Sequence, residues 1–123
     1  MLEVIRRERI DLKVMLGIWL AREPGAEQEN ANQIASGIRL ANEYEEIVVA
    51  VNVGNEALVE WNDHMVPLET VIDYVRQVTA AIDQPVTVAD NDARWIQVGA
   101  ALAAEVDFLG VHSYPVWEGF AID

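Results

Sequence analysis

The stretch EIVVAVNVGNEALVEW, residues 46–61, opens as a run of small and β-branched apolar residues without strict alternation. That is the composition of a strand covered on both faces, as in a parallel sheet. The run breaks at Gly54 and at once presents Asn55 and Glu56. In parallel α/β folds ligands meet the carboxyl ends of the strands. An amide and a carboxylate placed there are either the cap of a following helix or part of a site.

Three further segments share the character of this run: LKVMLGIWL (12–20), VTVAD (86–90) and DFLGVH (107–112). Helical patterns lie between them. Over 31–44, Ile34, Ile38 and Ala41 mark one face. Over 67–82, Leu68, Val71, Ile72, Val75 and Ile82 recur at helical spacing, with Pro67 at the first position and Glu69 at the positive end. A third helix over 93–105 turns Trp95, Gly99 and Leu102 inward, and residues 2–9 read as the end of another. Alternating helix and strand predicts right-handed crossovers and a parallel sheet. Strand starts near 12, 47, 86 and 108 are 35, 39 and 22 residues apart. Eight such units make a chain of about 250 residues, the size of a (β/α)₈ barrel. The expectation is an α/β chain forming half a TIM barrel, four parallel strands with outer helices, as one partial domain over residues 1–123.

Composition narrows the function. With 21 acidic and 8 basic residues the net charge is −13, which disfavours nucleic acid and anionic membrane surfaces as partners. The absence of cysteine removes disulfides, thiolate catalysis and cysteine-ligated zinc. The start, MLEVIRRERIDLK, lacks the apolar core of a signal peptide, and no apolar run approaches the ~20 residues that span a bilayer. A soluble chain of unassigned compartment is expected. The DND at 90–92 is no calcium loop, because Trp95 and Ala101 stand where Gly and Glu are required. His64 and Asp63 have no partner at metal spacing, so neither a metal nor a cofactor is expected.

The strand exits carry Trp19, then Asn55 and Glu56, then Asp90 and Asn91, then His112, Ser113 and Tyr114 followed by Trp117. Rings beside carboxylates and amides suit a neutral polyol, whose C–H faces stack while its hydroxyls hydrogen-bond. Trp61 and Trp117 read either as stacking platforms or as plugs of the barrel mouth, and His112 either as a site residue or as a structural hydrogen-bonded group.

Taken together, VNVGNEALVEW, VTVAD and VHSYPVWEG resemble the middle of a glycoside hydrolase family 17-type β-1,3-glucanase of the bacterial branch. The resemblance covers nearly the whole chain and maps its strands onto the third to sixth of a barrel. It implies Glu56 as the general acid/base and Asn55 as the group bonding a sugar 2-hydroxyl. Trp19, Asp90, His112, Tyr114 and Trp117 are then expected to bind a β-glucan or oligosaccharide. The family's nucleophile, a Glu on the seventh strand, has no counterpart; Glu118 follows the sixth strand but stands in no matching motif. Retaining hydrolysis needs two carboxyl groups about 5–5.5 Å apart, so weak or no activity is expected of this chain alone. A non-catalytic carbohydrate-binding half barrel and a self-assembling structural module are the alternatives.

Half a barrel should also leave apolar surface in water. Met15, Val49, Val51, Val53, Val88 and Val111 are expected to be uncovered. Burying each is worth about 1.5–3 kcal/mol, which predicts a homodimer joined through the open face and edge strands.

Overall fold

A computed structural model describes residues 1–117 and Gly119. Four helices and four strands alternate: α1 (Leu2–Arg7), β1 (Val14–Ile18), α2 (Glu27–Glu43), β2 (Val48–Asn55), α3 (Leu68–Thr79), β3 (Val86–Asn91), α4 (Asp92–Ala103) and β4 (Gly110–His112). The strands form one parallel sheet in the order β1-β2-β3-β4, each paired with its sequence neighbour. This is the half (β/α) barrel expected from the alternation. None of the helices is long and apolar enough to cross a membrane.

The core lies between sheet and helices. Val48, Val51, Val53, Val86 and Val88 from β2 and β3 pack with Val71, Val75 and Val78 of α3, all fully buried. Ile18 meets α2 at Gly37, where a side chain would collide with its Cδ1. A buried polar cluster fixes the loop after β1. Asn30 of α2 brackets Ala21, donating to its carbonyl at 2.8 Å and accepting from its N–H at 2.7 Å. Glu23 then accepts from Asn30 Nδ2 at 2.7 Å and from the Tyr74 hydroxyl of α3 at 2.5 Å. Burial first, and then that carboxylate, push the Tyr74 hydroxyl up to about 12.

The inner face differs from expectation. Val51, Val53 and Val88 are fully buried beneath the helices, while Met15, Val49 and Val111 are 54%, 46% and 49% exposed. Within β2 a register shift divides the valines: Val14 pairs with Val48 but Met15 with Ala50, so Val49 is an extra residue that reverses the alternation there. By that corrected alternation the concave side carries Gly17, Ala50, Asn52, Thr87, Ala89 and Gly110, with Met15 its large apolar group. Three of the five valines expected to face water are thus core. Exposed apolar side chains stand at both edges of the sheet, Leu12 and Met15 at β1 and Leu109 and Val111 at β4, with Ile96 on α4.

Element ends also shift. α2 begins at Glu27, four residues before the apolar periodicity, and β4 is only three residues long. Residues 107–109 are nevertheless tied to β3, by Asp107 Oδ2 accepting from Val86 N–H and by Thr87 Oγ1 donating to the Phe108 carbonyl. The same closeness fixes Gly110: a Cβ there would lie 2.7 Å from the Val88 carbonyl oxygen and 3.1 Å from Ala89 Cα. Both obstacles are backbone of the central sheet. Gly110→Ala should therefore destabilise the protein by about 1–3 kcal/mol, read as a lowered denaturation midpoint.

Candidate active site at the carboxyl end of the sheet

No helix begins at Glu56, so Asn55 caps nothing. Its neighbour adopts a left-handed backbone, φ +49°, a conformation costly for a residue with a side chain. Three hydrogen bonds hold that turn against β3 and within its own loop. Glu56 N–H donates to the Ala89 carbonyl at 2.8 Å, Leu58 N–H donates to Asp90 Oδ2 at 2.9 Å, and Asn62 Nδ2 donates to the Glu56 carbonyl at 2.8 Å. Gly54, at φ +82°, lets β2 turn into this loop, close against Leu20 and Ala57.

The Glu56 carboxylate then meets the exit of β4. Its Oε1 lies 3.0 Å from His112 Nδ1 and accepts from the Tyr114 hydroxyl at 2.9 Å. A carboxylate only accepts, so Nδ1 of His112 carries the proton of that bond. Burial pushes the Glu56 carboxyl up, but the bonds from His112 and Tyr114 together outweigh it and hold it below the usual carboxylate range. The same contact raises the Tyr114 hydroxyl. Glu56 is therefore an anion at neutral pH.

An open cleft of about 640 Å³ spreads in front of it, lined by Glu56, Trp61, Asn91, Tyr114 and Trp117. Trp61 and Trp117 are 76% and 92% exposed, so their faces are available to a ligand. Among the described lining residues Glu56 is the one carboxylate, and no group of metal-binding side chains occurs among the described residues. Glu118 falls outside the described residues.

A search of solved structures gives a concrete likeness. An endo-laminarinase from Formosa Hel1_33_131 superposes with a TM-score of 0.85 at 26% identity, over 95% of this chain and 38% of its own. The chain thus spans well under half the length of that enzyme. No family model matches it, and no curated protein does.

The remaining expected residues fall in three places. Trp19 lies beyond β1, half-exposed, with its ring against His64 at a centroid distance of 4.6 Å. Asn55 is exposed at the rim, and its carbonyl lies 3.0 Å from His64 Nε2. Asp90 is 1% exposed and spends its oxygens on the N–H groups of Leu58 and Asn91, which makes it a buttress beneath the Glu56 loop. Burial raises its carboxyl, against those two donors. Asn91 takes the capping role weighed for Asn55: its side chain accepts from Ala93 N–H at the start of α4. Sequence reasoning weighed His64 only as a metal ligand and passed over Asn62; their partners are backbone carbonyls and a distant ring that no local pattern announces.

Two outcomes follow from this geometry. Tyr114→Phe and His112→Ala should each raise the Glu56 carboxyl, since each removes a donor that favours the anion. A carboxyl-carbon NMR titration reads the change. With the folded value held below the ordinary one, the associated stability is present at neutral pH and fades as pH falls through that lowered value. Asp90→Ala leaves the buried Leu58 N–H without its acceptor and should cost about 1–3 kcal/mol in chemical denaturation.

Proposed function

We propose that this chain is a β-glucan-binding portion of a glycoside hydrolase of the family 17 type, with Glu56 in the position of the general acid/base and Asn55 beside it as the group for a sugar 2-hydroxyl. The observation that carries this reading is the Glu56 carboxylate, bonded by His112 and Tyr114 on the wall of a cleft lined by three aromatic rings. Aromatic faces around a polar centre suit glucose units, which present C–H faces above and below a belt of hydroxyls. The likeness to an endo-laminarinase supports β-1,3-glucan as the polymer.

Chemistry is a further step. A general acid must be protonated at working pH, and Glu56 is held ionised. A second carboxylate about 5–5.5 Å away would raise it again and would serve as nucleophile in a retaining mechanism. None of the described residues lining the cleft supplies that group. With no second carboxylate among the described lining residues, binding is favoured over turnover for this chain by itself, with hydrolysis dependent on a complementary half.

Such a complement also suits the edges. The unpaired backbone of β1 and β4, and the apolar side chains Ile96, Leu109 and Val111, match a second half that adds strands at the rim. A second copy of this chain is the proposed partner. With −13 on each copy, pairing should strengthen as salt screens the repulsion.

Calorimetry with laminarihexaose tests the binding. Wild type should bind, and Trp117→Ala should lose about tenfold in affinity; no binding by wild type overturns the glucan reading. Equal laminarin hydrolysis by wild type and Glu56→Gln removes the catalytic part and leaves a binding module. Sedimentation should show association growing from low to high salt; a monomer at micromolar concentration in both sinks the dimer.

A further inference from the structure

His64, in the loop between β2 and α3, touches three groups from three segments. Its Nε2 lies 3.0 Å from the Asn55 carbonyl oxygen, its Nδ1 lies 3.2 Å from Asp63 Oδ1, and its ring stands 4.6 Å from the Trp19 ring at an interplanar angle of 36°. The side chain is only 19% exposed. A carbonyl oxygen can only accept, so Nε2 carries a proton. An ionised carboxylate can only accept as well, so the Asp63 contact becomes a hydrogen bond when Nδ1 is protonated too. Both contacts together describe an imidazolium, and a cation against an indole face gains cation–π attraction.

Among the charged groups around the ring, Asp63 of its own loop is in contact. From the end of β2 the ring meets a neutral carbonyl, and from the segment after β1 it meets an indole. The carboxylates of those two segments are turned to other partners, Glu23 to Asn30 and Tyr74, Glu56 to His112 and Tyr114.

We propose that His64 is a proton-dependent positioning residue that locks Trp19 and the end of β2 into one sugar-facing edge beside Glu56. In strand order this edge lies across Glu56 from the Trp61–Trp117 cleft, so it extends the glucan path to the β1 side. The protonated ring ties the Asn55 carbonyl, Asp63 and Trp19 together. The neutral ring keeps the Asn55 bond and lets the other two go. The sugar-facing role rests on the glucan reading, whereas the arrangement of the ring does not.

Intrinsic fluorescence of the full chain separates the two. An imidazolium in van der Waals contact quenches an excited indole, and histidine is the side chain that gains a proton on mild acidification. On acidification wild type should lose roughly a quarter of its emission, the share of one among four tryptophans. His64→Gln and Trp19→Phe should abolish the loss, and Asp63→Asn should move its midpoint to lower pH. The other histidine, His112, is no substitute source, because its ring neighbour is Tyr114. A wild-type profile without quenching, or quenching that survives in His64→Gln, overturns the proposal. Should His64→Gln fail to fold by circular dichroism, the fully exposed Asp63 carries the test, and an unmoved midpoint in Asp63→Asn overturns it equally.

Laminarihexaose affinity supplies the second arm. It should fall several-fold from low to high pH in wild type and stay level in His64→Gln. Quenching intact with no binding at either pH overturns the glucan reading and leaves the His64 arrangement standing. Binding intact without quenching overturns the His64 proposal alone.

Discussion

The site depends on two hydrogen bonds by which β3 grips the loop after β2. The Ala89 carbonyl takes the Glu56 N–H and the Asp90 carboxylate takes the Leu58 N–H. A left-handed glutamate is an uncomfortable conformation, of order 1–3 kcal/mol, and it persists only where neighbours determine it. Here the grip comes from a strand fully buried along its length, so the restraint is anchored in the most rigid part of the molecule. From that anchored turn the Glu56 side chain crosses β3 and meets His112 at the end of β4 and Tyr114 beyond it. The carboxylate is thus positioned by backbone on one side and bonded by side chains on the other.

Charge and burial divide the work at this rim. Asp90 is enclosed and serves the backbone, with its carboxyl pushed up by burial. Glu56 sits nearer the surface, meets two donors, and is pushed the other way. Two carboxylates from adjacent strands thereby acquire opposite tendencies from their surroundings alone, the pattern that separates structural from reactive acids. The deciding quantity is burial: Asp90 also meets two donors but is enclosed, whereas Glu56 is nearer the surface, where His112 and Tyr114 reach it across 56 and 58 residues of chain.

Much of the architecture was legible in the residues. Four unalternating apolar runs separated by helical patterns predict a parallel sheet, and the sheet forms in that order. The exits predict which residues gather at one end, and Glu56, Tyr114 and Trp117 do line one cleft. What escaped was local and physical. Val49 is one extra residue in β2, and no apolar pattern in VVAVNV distinguishes a bulge from regular strand, so Val49 alone of the β2 valines expected to face water does so, while Val51 and Val53 are core. The first turn of α2, Glu27 to Asn30, is polar and gave no periodicity, although its Asn30 is fully buried through bonds to Ala21 and Glu23. Asp90 and Asn91 sit at a strand end like Asn55, yet one serves the neighbouring loop and the other its own helix.

The small groups on the concave side, Gly17, Ala50, Asn52 and Thr87, carry a last implication. Ala50, Asn52 and Thr87 are buried between their neighbours, and Gly17 and Met15 are the exposed residues of that side, so it presents little apolar surface to water, where leucine and isoleucine would drive collapse or clumping.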